Sequence, residues 1–331
     1  MKKRPPASID VAKLAGVSRS AVSRTFTPDT YVSPETRAKV LQAAEMLGYR
    51  PNAIARSLSK RSSGLVGVVC SDLANPFYAE LLERLSTALQ KRQMGILLLV
   101  GDASHMDDLL ERMLSYQVDG ILLPASKLTS KLAASLNTAG RPVVLVNHQL
   151  RDGGVSSVGG DNYTGGKLVA DVLVAGGYRR IAYISGPEDT SSAVDRGRGL
   201  QDGLAAHNLS LPMRASGEDR GDVTKEVMRR FMNQPEPPDA VFCANDLMAL
   251  AAMEVVQLEF GRQVPGEFGV VGYDNTLLSR SSFHPLTTVD QNLTAMAERA
   301  VAMLIEKING NSLDTEDIKI APELVIRTTT K

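Results

Sequence analysis

Two groups of polar residues in this chain have the types and spacing to recognise a ligand, and neither has the make-up of a catalytic centre. The first is Ser18-Arg19-Ser20-Ala21-Val22-Ser23-Arg24. A helix begun at Ser18 buries Ala21, Val22 and Phe26 and turns Arg19, Ser20, Ser23 and Arg24 outward. Hydroxyls and guanidinium groups on one helical face are the donors that a DNA major groove accepts. The second group directly follows short apolar runs: Ser71-Asp72, Asn147-His148, Asn245-Asp246 and Tyr273-Asp274. Side chains at the carboxyl ends of parallel strands face the crevice where open α/β sheets bind ligands. For Asp72 and Asp246, capping the next helix is the stronger expectation, but the recurrence of such residues favours a ligand site. Phe77 and Tyr78, after Asn75-Pro76, offer an aromatic face to a sugar or base, or pack as an ordinary helix start. In Asp195-Arg196-Gly197-Arg198 one arginine can reach a polar ligand.

Other chemistries are excluded. Gly160 to Leu168 has one residue too many before its Gly-Lys for a phosphate loop, and Leu168 stands where such a loop needs Ser or Thr. His105, His148, His207 and His284 show no paired spacing, and no Gly-x-Ser-x-Gly elbow is present, so neither a metal site nor a hydrolase triad is expected. Asp107-Asp108 reads as a helix start, where acids suit the dipole.

The cationic helix needs a scaffold. Ser8 is placed to cap a first helix whose apolar face would be Ile9, Ala12 and Leu14, and Gly16 supplies the left-handed corner. After a loop from Thr27 to Val32, Ser33-Pro34-Glu35 starts a third helix, with Val40, Ala43, Ala44 and Leu47 inward and Gly48 closing it. Asn52 to Ser59 is too short for a stable helix by itself and should order only when held. Lys60 to Gly64 is a polar linker. The expected domains are therefore 1–50, a helix-turn-helix head; 51–64, a hinge helix and linker; and 65–331, a two-lobed body.

Charge follows the same division. The net charge is zero, but residues 1–63 hold 12 Lys/Arg against 4 Asp/Glu, while the remainder holds 25 basic and 33 acidic residues. A basic head suits a polyanion, and an acidic body confines phosphate attraction to that head. Cys70 and Cys243, far apart in apolar runs, read as core thiols in a reducing compartment. Without an apolar leader or a run of about 20 apolar residues, a cytoplasmic protein is expected.

The body alternates buried strands with helices. Expected strands are Leu65 to Cys70, Ile96 to Val100, Ile121 to Leu123 and Val143 to Val146, then Ile181 to Ser185, Ala240 to Ala244 and Phe268 to Gly272. Helices are expected over 76–92, 107–116, 165–175, 191–207, 222–231 and 246–260. Two such sets give two doubly wound, parallel-sheet lobes with a cleft between them.

Asp10-Val11-Ala12, Ala15-Gly16-Val17-Ser18, Val22-Ser23-Arg24, Val32 to Arg37, Leu47-Gly48-Tyr49 and Pro51-Asn52 through Leu58 together resemble the LacI/GalR family of bacterial repressors. The resemblance implies that Arg19, Ser20 and Ala21 face base edges, that Asn52 opens a hinge helix containing Ala55, and that Leu58 wedges into the minor groove. A wedge of that kind unstacks a base step and kinks the duplex. The sequence has Ala21 where Thr is common in the family and Thr27 where Asn is usual. For the body the likeness implies a periplasmic-binding-protein-like fold, with the chain crossing between lobes near Asp161, Val289 and Ala321. It favours Arg196 over Arg198 and adds Asn147, Asp161, Asn245, Asp274 and Gln291 to Ser71, Phe77 and Tyr78 as effector contacts. The expected function is a transcriptional regulator, a repressor rather than an enzyme, without cofactor or metal. It would bind a near-palindromic DNA operator as a homodimer and respond to a small, carbohydrate-related effector. No leucine-rich heptad stretch follows Arg327, so a dimer rather than a tetramer is expected. A solute-binding receptor would fit the body alone, and a nucleotide-dependent enzyme would need a phosphate fingerprint; the basic head favours neither.

Overall fold

The structure, a computed structural model, describes residues 4, 6–27, 30–50, 62–70, 73–101, 106–124, 140–150, 154–283, 285–311 and 314–331, apart from the side chain of Asp107. The expected hinge helix with Asn52, Ala55 and Leu58, and the strand-end pair Ser71-Asp72, lie outside the described residues, as do His105 and His284. The chain divides into two compact units, Met1–Ser63 and Gly64–Lys331.

The first unit holds three helices, α1 (Ser8–Ala15), α2 (Arg19–Thr25) and α3 (Pro34–Leu47). Ser8 is the first helical residue of α1 and not its cap. The cap position is Ala7, whose N–H donates to Asp10 Oδ2 at 2.8 Å. Gly16 turns the chain at φ 67°, a left-handed conformation that glycine adopts without a Cβ clash. Ser18 accepts the Ala21 N–H at 3.1 Å and Ser33 caps α3. The small core joins Val11 and Ala12 to Val22, Val40, Ala43 and Ala44. Ile9 and Leu14, expected inside, are each 50% exposed. Three short helices meet along a narrow seam, and Ile9 stands two residues, roughly 200° of helix, away from Val11. Leu47 is likewise exposed, at the end of α3.

In the second unit, lobe 1 carries a six-stranded sheet in the order β11-β5-β4-β3-β1-β2, from β1 (Leu65–Cys70), β2 (Gly95–Val100), β3 (Gly120–Leu123), β4 (Val143–Val146), β5 (Ser156–Gly160) and β11 (Asp317–Ile320). Every pairing in it is parallel. One face packs on α4 (Pro76–Gln90) and α10 (Leu293–Ile308), through Leu81, Leu85, Met296, Val301 and Leu304. The other packs on α5 (Met106–Ser115), through Leu110 and Met113. Each fully buried side chain of this kind contributes about 1.5–3 kcal/mol.

Lobe 2 has a parallel sheet in the order β7-β6-β8-β9, from β6 (Ile181–Ser185), β7 (Met213–Ser216), β8 (Ala240–Cys243) and β9 (Gly269–Val271). Helices α6 (Asn162–Ala175) and α7 (Ser191–Ala206) cover one face; α8 (Gly221–Met232) and α9 (Asp246–Glu254) cover the other. A π turn, Val255–Glu259, extends α9 to the expected end of that helix.

The chain passes between the lobes three times: from β5 into α6 at Asp161, from β10 (Thr288–Asp290) into α10, and from β11 into β12 (Glu323–Val325). Strands β10 and β12 pair antiparallel. Cys70 and Cys243 are buried, and no disulfide joins them.

Candidate functional site

The head presents its second helix to solvent. Ser18, Arg19, Ser20, Ser23 and Arg24 are all exposed, Ala21 is half-buried and Val22 is buried. Ser18 and Ser20 share a 2.8 Å hydroxyl hydrogen bond, and Arg24 Nε donates to the Ser20 carbonyl at 3.4 Å. Among the described residues no carboxylate pairs with Arg19, so its five donors remain available. Arg37 Nη1 donates to the Thr25 carbonyl at 3.1 Å and ties the end of α2 to α3. This face has the chemistry to donate hydrogen bonds to base edges and phosphate oxygens, from a helix packed against α1 and α3.

The second unit brings most of the strand-end residues together. One cleft between the lobes has Phe77, Tyr78, Asn147 and His148 in one wall and Arg196, Asp219, Asn245 and Asp274 in the other. Arg196 leaves α7 almost wholly buried. Its Nε donates to Asn162 Oδ1 at 2.8 Å and its Nη1 to the Ala244 carbonyl. The guanidinium carbon lies 3.7 Å above the Tyr273 ring, and Nη2 stands 4.0 Å from Asp274 Oδ1. These contacts fix the cation in one orientation. Two close helix contacts hold α7 itself: a Cβ on Gly199 would lie 2.0 Å from the Tyr163 carbonyl oxygen, and one on Gly166 would lie 2.3 Å from that of Arg196.

Asp274 has φ 110° and Asn147 φ 70°, conformations costing on the order of 1–3 kcal/mol in a non-glycine residue. Backbone strain of this kind on both walls of one cleft marks a site where side-chain direction outweighs local stability. Burial pushes the Asp274 carboxyl well above the ordinary range, with Arg196 pulling the other way. Burial, with Arg196 beside it, pushes His148 down to about 4, so the imidazole is neutral near pH 7. Its Nε2 lies 3.3 Å from the Tyr78 hydroxyl. Asn147 Oδ1 and His148 Nδ1 are buried with no hydrogen-bond partner among the described residues. Since an unpaired buried polar atom costs about 1–3 kcal/mol, both are suited to a ligand's hydroxyls or N–H groups.

Two nominated residues stand outside the cleft lining. Asp161 caps α6, accepting the Thr164 N–H at 3.1 Å and its hydroxyl at 2.8 Å. Gln291 is wholly buried and donates from Nε2 to Asp274 Oδ1 at 2.6 Å, so it supports a cleft residue from behind. Phe77 lines the cleft from a core position, its ring edge-on to Tyr78 at 5.2 Å. Asn245, not Asp246, caps α9, accepting from Met248 N at 2.8 Å. Asp246 instead accepts from Thr276 N, Thr276 Oγ1 and Thr288 Oγ1. Sequence reasoning passed over Asn75, Thr190, Ser192 and Asp219, which also line the cleft. Asn75 adjoins the nominated pair Phe77 and Tyr78. Thr190 and Asp219 follow β6 and β7, and β7 had not been recognised as a strand. Among the described residues no group of three or more His, Cys, Asp or Glu could hold a metal ion, and no helix is long and apolar enough to cross a membrane.

Residues 9–52 match the profile of the bacterial regulatory proteins of the lacI family, and residues 170–330 that of a periplasmic binding protein-like domain. The chain is 34% identical to the HTH-type transcriptional regulator CelR of Thermobifida fusca, over 98% of each chain. It is 32% identical to the ribose operon repressor of Escherichia coli K12, over 96% of this chain and 98% of that one. Its fold superposes on the Lac repressor dimer bound to operator and the anti-inducer ONPF with a TM-score of 0.88 and 27% identity, covering 99% of both chains.

Proposed function

The chain belongs to the LacI family of bacterial regulatory proteins, and on that premise we propose which of its residues carry transcriptional regulation by sequence-specific DNA binding under the control of a small polar ligand. What supports the reading is the exposed, cationic face of α2 set behind the Gly16 corner. Residues 1–50 form the reading head, with Ser18, Arg19, Ser20, Ala21, Ser23 and Arg24 against DNA. Residues 51–64 form the hinge, with Asn52 and Ala55 in its helix and Leu58 wedged in the minor groove. Residues 65–331 hold the effector between Phe77, Tyr78 and Asn147 on one lobe and Arg196, Asn245 and Asp274 on the other, with Ser71 as a further contact. The chain works as a repressor in the cytoplasm, where its DNA lies, and as a homodimer on two half-sites about one helical turn apart. The cleft chemistry suits a carbohydrate or related polyol. The CelR–cellobiose complex, 32% identical over 98% of this chain, points to the same class of ligand.

Gel shifts at graded salt on genomic fragments test the DNA half. Wild type selects a near-palindromic site, and Arg19→Ala loses about 1–3 kcal/mol of preference for it over random DNA. Equal losses on both DNAs would reduce Arg19 to a phosphate contact. A thermal-shift screen of sugars, sugar acids and nucleosides tests the other half, since a ligand at 100 times its Kd adds about 2.7 kcal/mol of stability. With the responding ligand, Asp274→Ala loses the effector response and keeps operator binding, whereas Leu58→Gly weakens operator binding and keeps effector affinity. A normal effector response in Asp274→Ala sinks the proposed cleft.

A further inference from the structure

Helix α4 of lobe 1 reaches lobe 2 through the Glu80 carboxylate. Glu80 Oε1 accepts the Leu277 N–H at 2.6 Å, and Oε2 lies 3.6 Å from Arg280 Nη2. The Glu80 side chain is only 17% exposed. Leu277 and Arg280 bound a short 3-10 segment, Leu277–Arg280, that follows β9 in lobe 2. The segment is also held from its own lobe, because Asp246 accepts from the Thr276 N–H at 2.7 Å and Arg280 Nη2 donates to the Asn275 carbonyl at 2.5 Å.

Both ends of this contact stand three residues from a cleft residue. Glu80 follows Phe77 by one helical turn, and Leu277 follows Asp274 by three positions. A polar cavity bounded by Glu80, Arg84, Arg280, Asp290 and Asn292 also has Asp274 in its wall, so contact and cleft share a carboxylate. The crossings at Asp161, at the start of α10 and between β11 and β12 join the lobes by covalent backbone, which can bend. The Glu80 contact is non-covalent and can part. A side chain held by one charge-assisted hydrogen bond and one ion pair gives two discrete arrangements, joined and released.

We propose that Glu80 is an interlobe clasp: its bonds to Leu277 and Arg280 hold the two walls of the cleft at the spacing seen here, and releasing them opens the cleft. The consequence for regulation rests on the effector reading above; the clasp itself does not. A ligand that contacts both walls favours the joined state, and its apparent affinity scales with the fraction of molecules in that state.

The test uses the full chain without ligand. Two spin labels at exposed positions, introduced by Gln90→Cys at the end of α4 in lobe 1 and Gln234→Cys just past α8 in lobe 2, report lobe spacing, the native cysteines being buried. Amide exchange at Leu277 reports the bond directly. In Glu80→Ala the interlobe distance distribution moves to longer distances and broadens, and Leu277 exchanges at least tenfold faster. Arg280→Ala, which leaves the Leu277 bond in place, gives a smaller change in both. Glu83→Ala, an exposed acid on the same helix, gives none. Unchanged distances and unchanged Leu277 exchange in a folded Glu80→Ala would overturn the clasp, even if an effector is found. A clasp that opens in a protein with no detectable effector would leave the clasp standing and overturn the effector reading instead. If Glu80→Ala does not fold, Glu80→Gln is measured in its place. It keeps an acceptor for Leu277 and loses the Arg280 pair, so it must match Arg280→Ala.

Discussion

Gln291 Nε2 donates to Asp274 Oδ1 across 2.6 Å from a position with no solvent exposure, while its own Oε1 finds no partner among the described residues. Gln291 thus directs a carboxylate that it has no surface to assist by contact with a ligand. In Gln291→Met the hydrogen bond disappears and the orphaned oxygen goes with it. A hydrogen bond to a charged group is worth about 1.5–3 kcal/mol, and removing the unpaired acceptor offsets part of that, so unfolding free energy should change by less than about 1 kcal/mol. Effector affinity should fall roughly tenfold because Asp274 loses its orientation. Calorimetric titration with the ligand found by thermal shift, beside urea unfolding, separates the two effects. A large stability loss with unchanged affinity would make Gln291 a packing residue only.

Asp246 gives the protein an unusual pH dependence. Burial raises its carboxyl from 3.8 to about 6, against the pull of hydrogen bonds from Thr288 and Thr276. Between those values the native state holds more protons than the unfolded chain, so this group's contribution to stability falls as pH rises from about 4 to about 6. Comparing urea midpoints of wild type and Asp246→Asn across pH 4–7 should show a difference that shifts in favour of Asn as pH rises. A difference independent of pH would mean that the carboxyl titrates normally.

His148 has the opposite sign. Burial, then Arg196, lowers it from 6.5 to about 4, so stability is lost as pH falls through that window, when the unfolded chain takes up a proton and the native state does not. His148→Gln should flatten the acid limb of the stability curve, and the C2 proton of His148 should show no titration between pH 5.5 and 8 by NMR. A midpoint near 6.5 would contradict a buried, neutral imidazole.

Gly199 sits where α6 and α7 touch backbone to backbone. Gly199→Ala places a methyl 2.0 Å from the Tyr163 carbonyl oxygen, and overpacking of this kind costs about 1–3 kcal/mol. Because α7 carries Arg196, the displaced helix should also weaken effector binding. Gly221→Ala, whose Cβ would lie 3.6 Å from the Ala251 side chain, is the benign control. Equal melting temperatures for the two variants would show that the helices part without strain.

Much of this was legible because the relevant signals are local. Gly16 and Gly48 mark left-handed corners, and Ser18 and Ser33 cap helices, all through contacts made within a few residues. The apolar runs of β1, β4 and β6 announce strands buried on both faces. Strand β5, Ser156–Gly160, does not, because its Ser-Ser-Val-Gly-Gly is buried by neighbours on either side and not by its own hydrophobicity. Strands β7, β11 and β12 were missed for a similar reason: their side chains are mostly half-buried or exposed and pairing alone defines them. Helix α10 has Leu293, Met296, Ala297, Ala300, Val301 and Leu304 at helical spacing, but its return to lobe 1 depends on a chain crossing that no local pattern marks. In the cleft, sequence could nominate Asn147, Arg196 and Asp274 as polar residues at element ends. That Gln291 lies behind Asp274, and that Asp161 serves its own helix, depends on how distant segments meet.

The crossings between lobes also bear on how the chain is made. Lobe 2 takes its four strands, β6 to β9, from one uninterrupted stretch, whereas lobe 1 needs α10 and β11 from beyond the end of that stretch. During synthesis the earlier lobe therefore cannot close its core until the later one has been made. The strands of β1 to β5 leave the ribosome with the apolar face that α10 will cover still open, bare for the time taken to translate the whole of lobe 2. The part of the molecule most exposed to aggregation and to chaperones is thus the lobe that follows the head in sequence, and a nascent chain stalled before Leu293 would carry a head followed by no finished lobe.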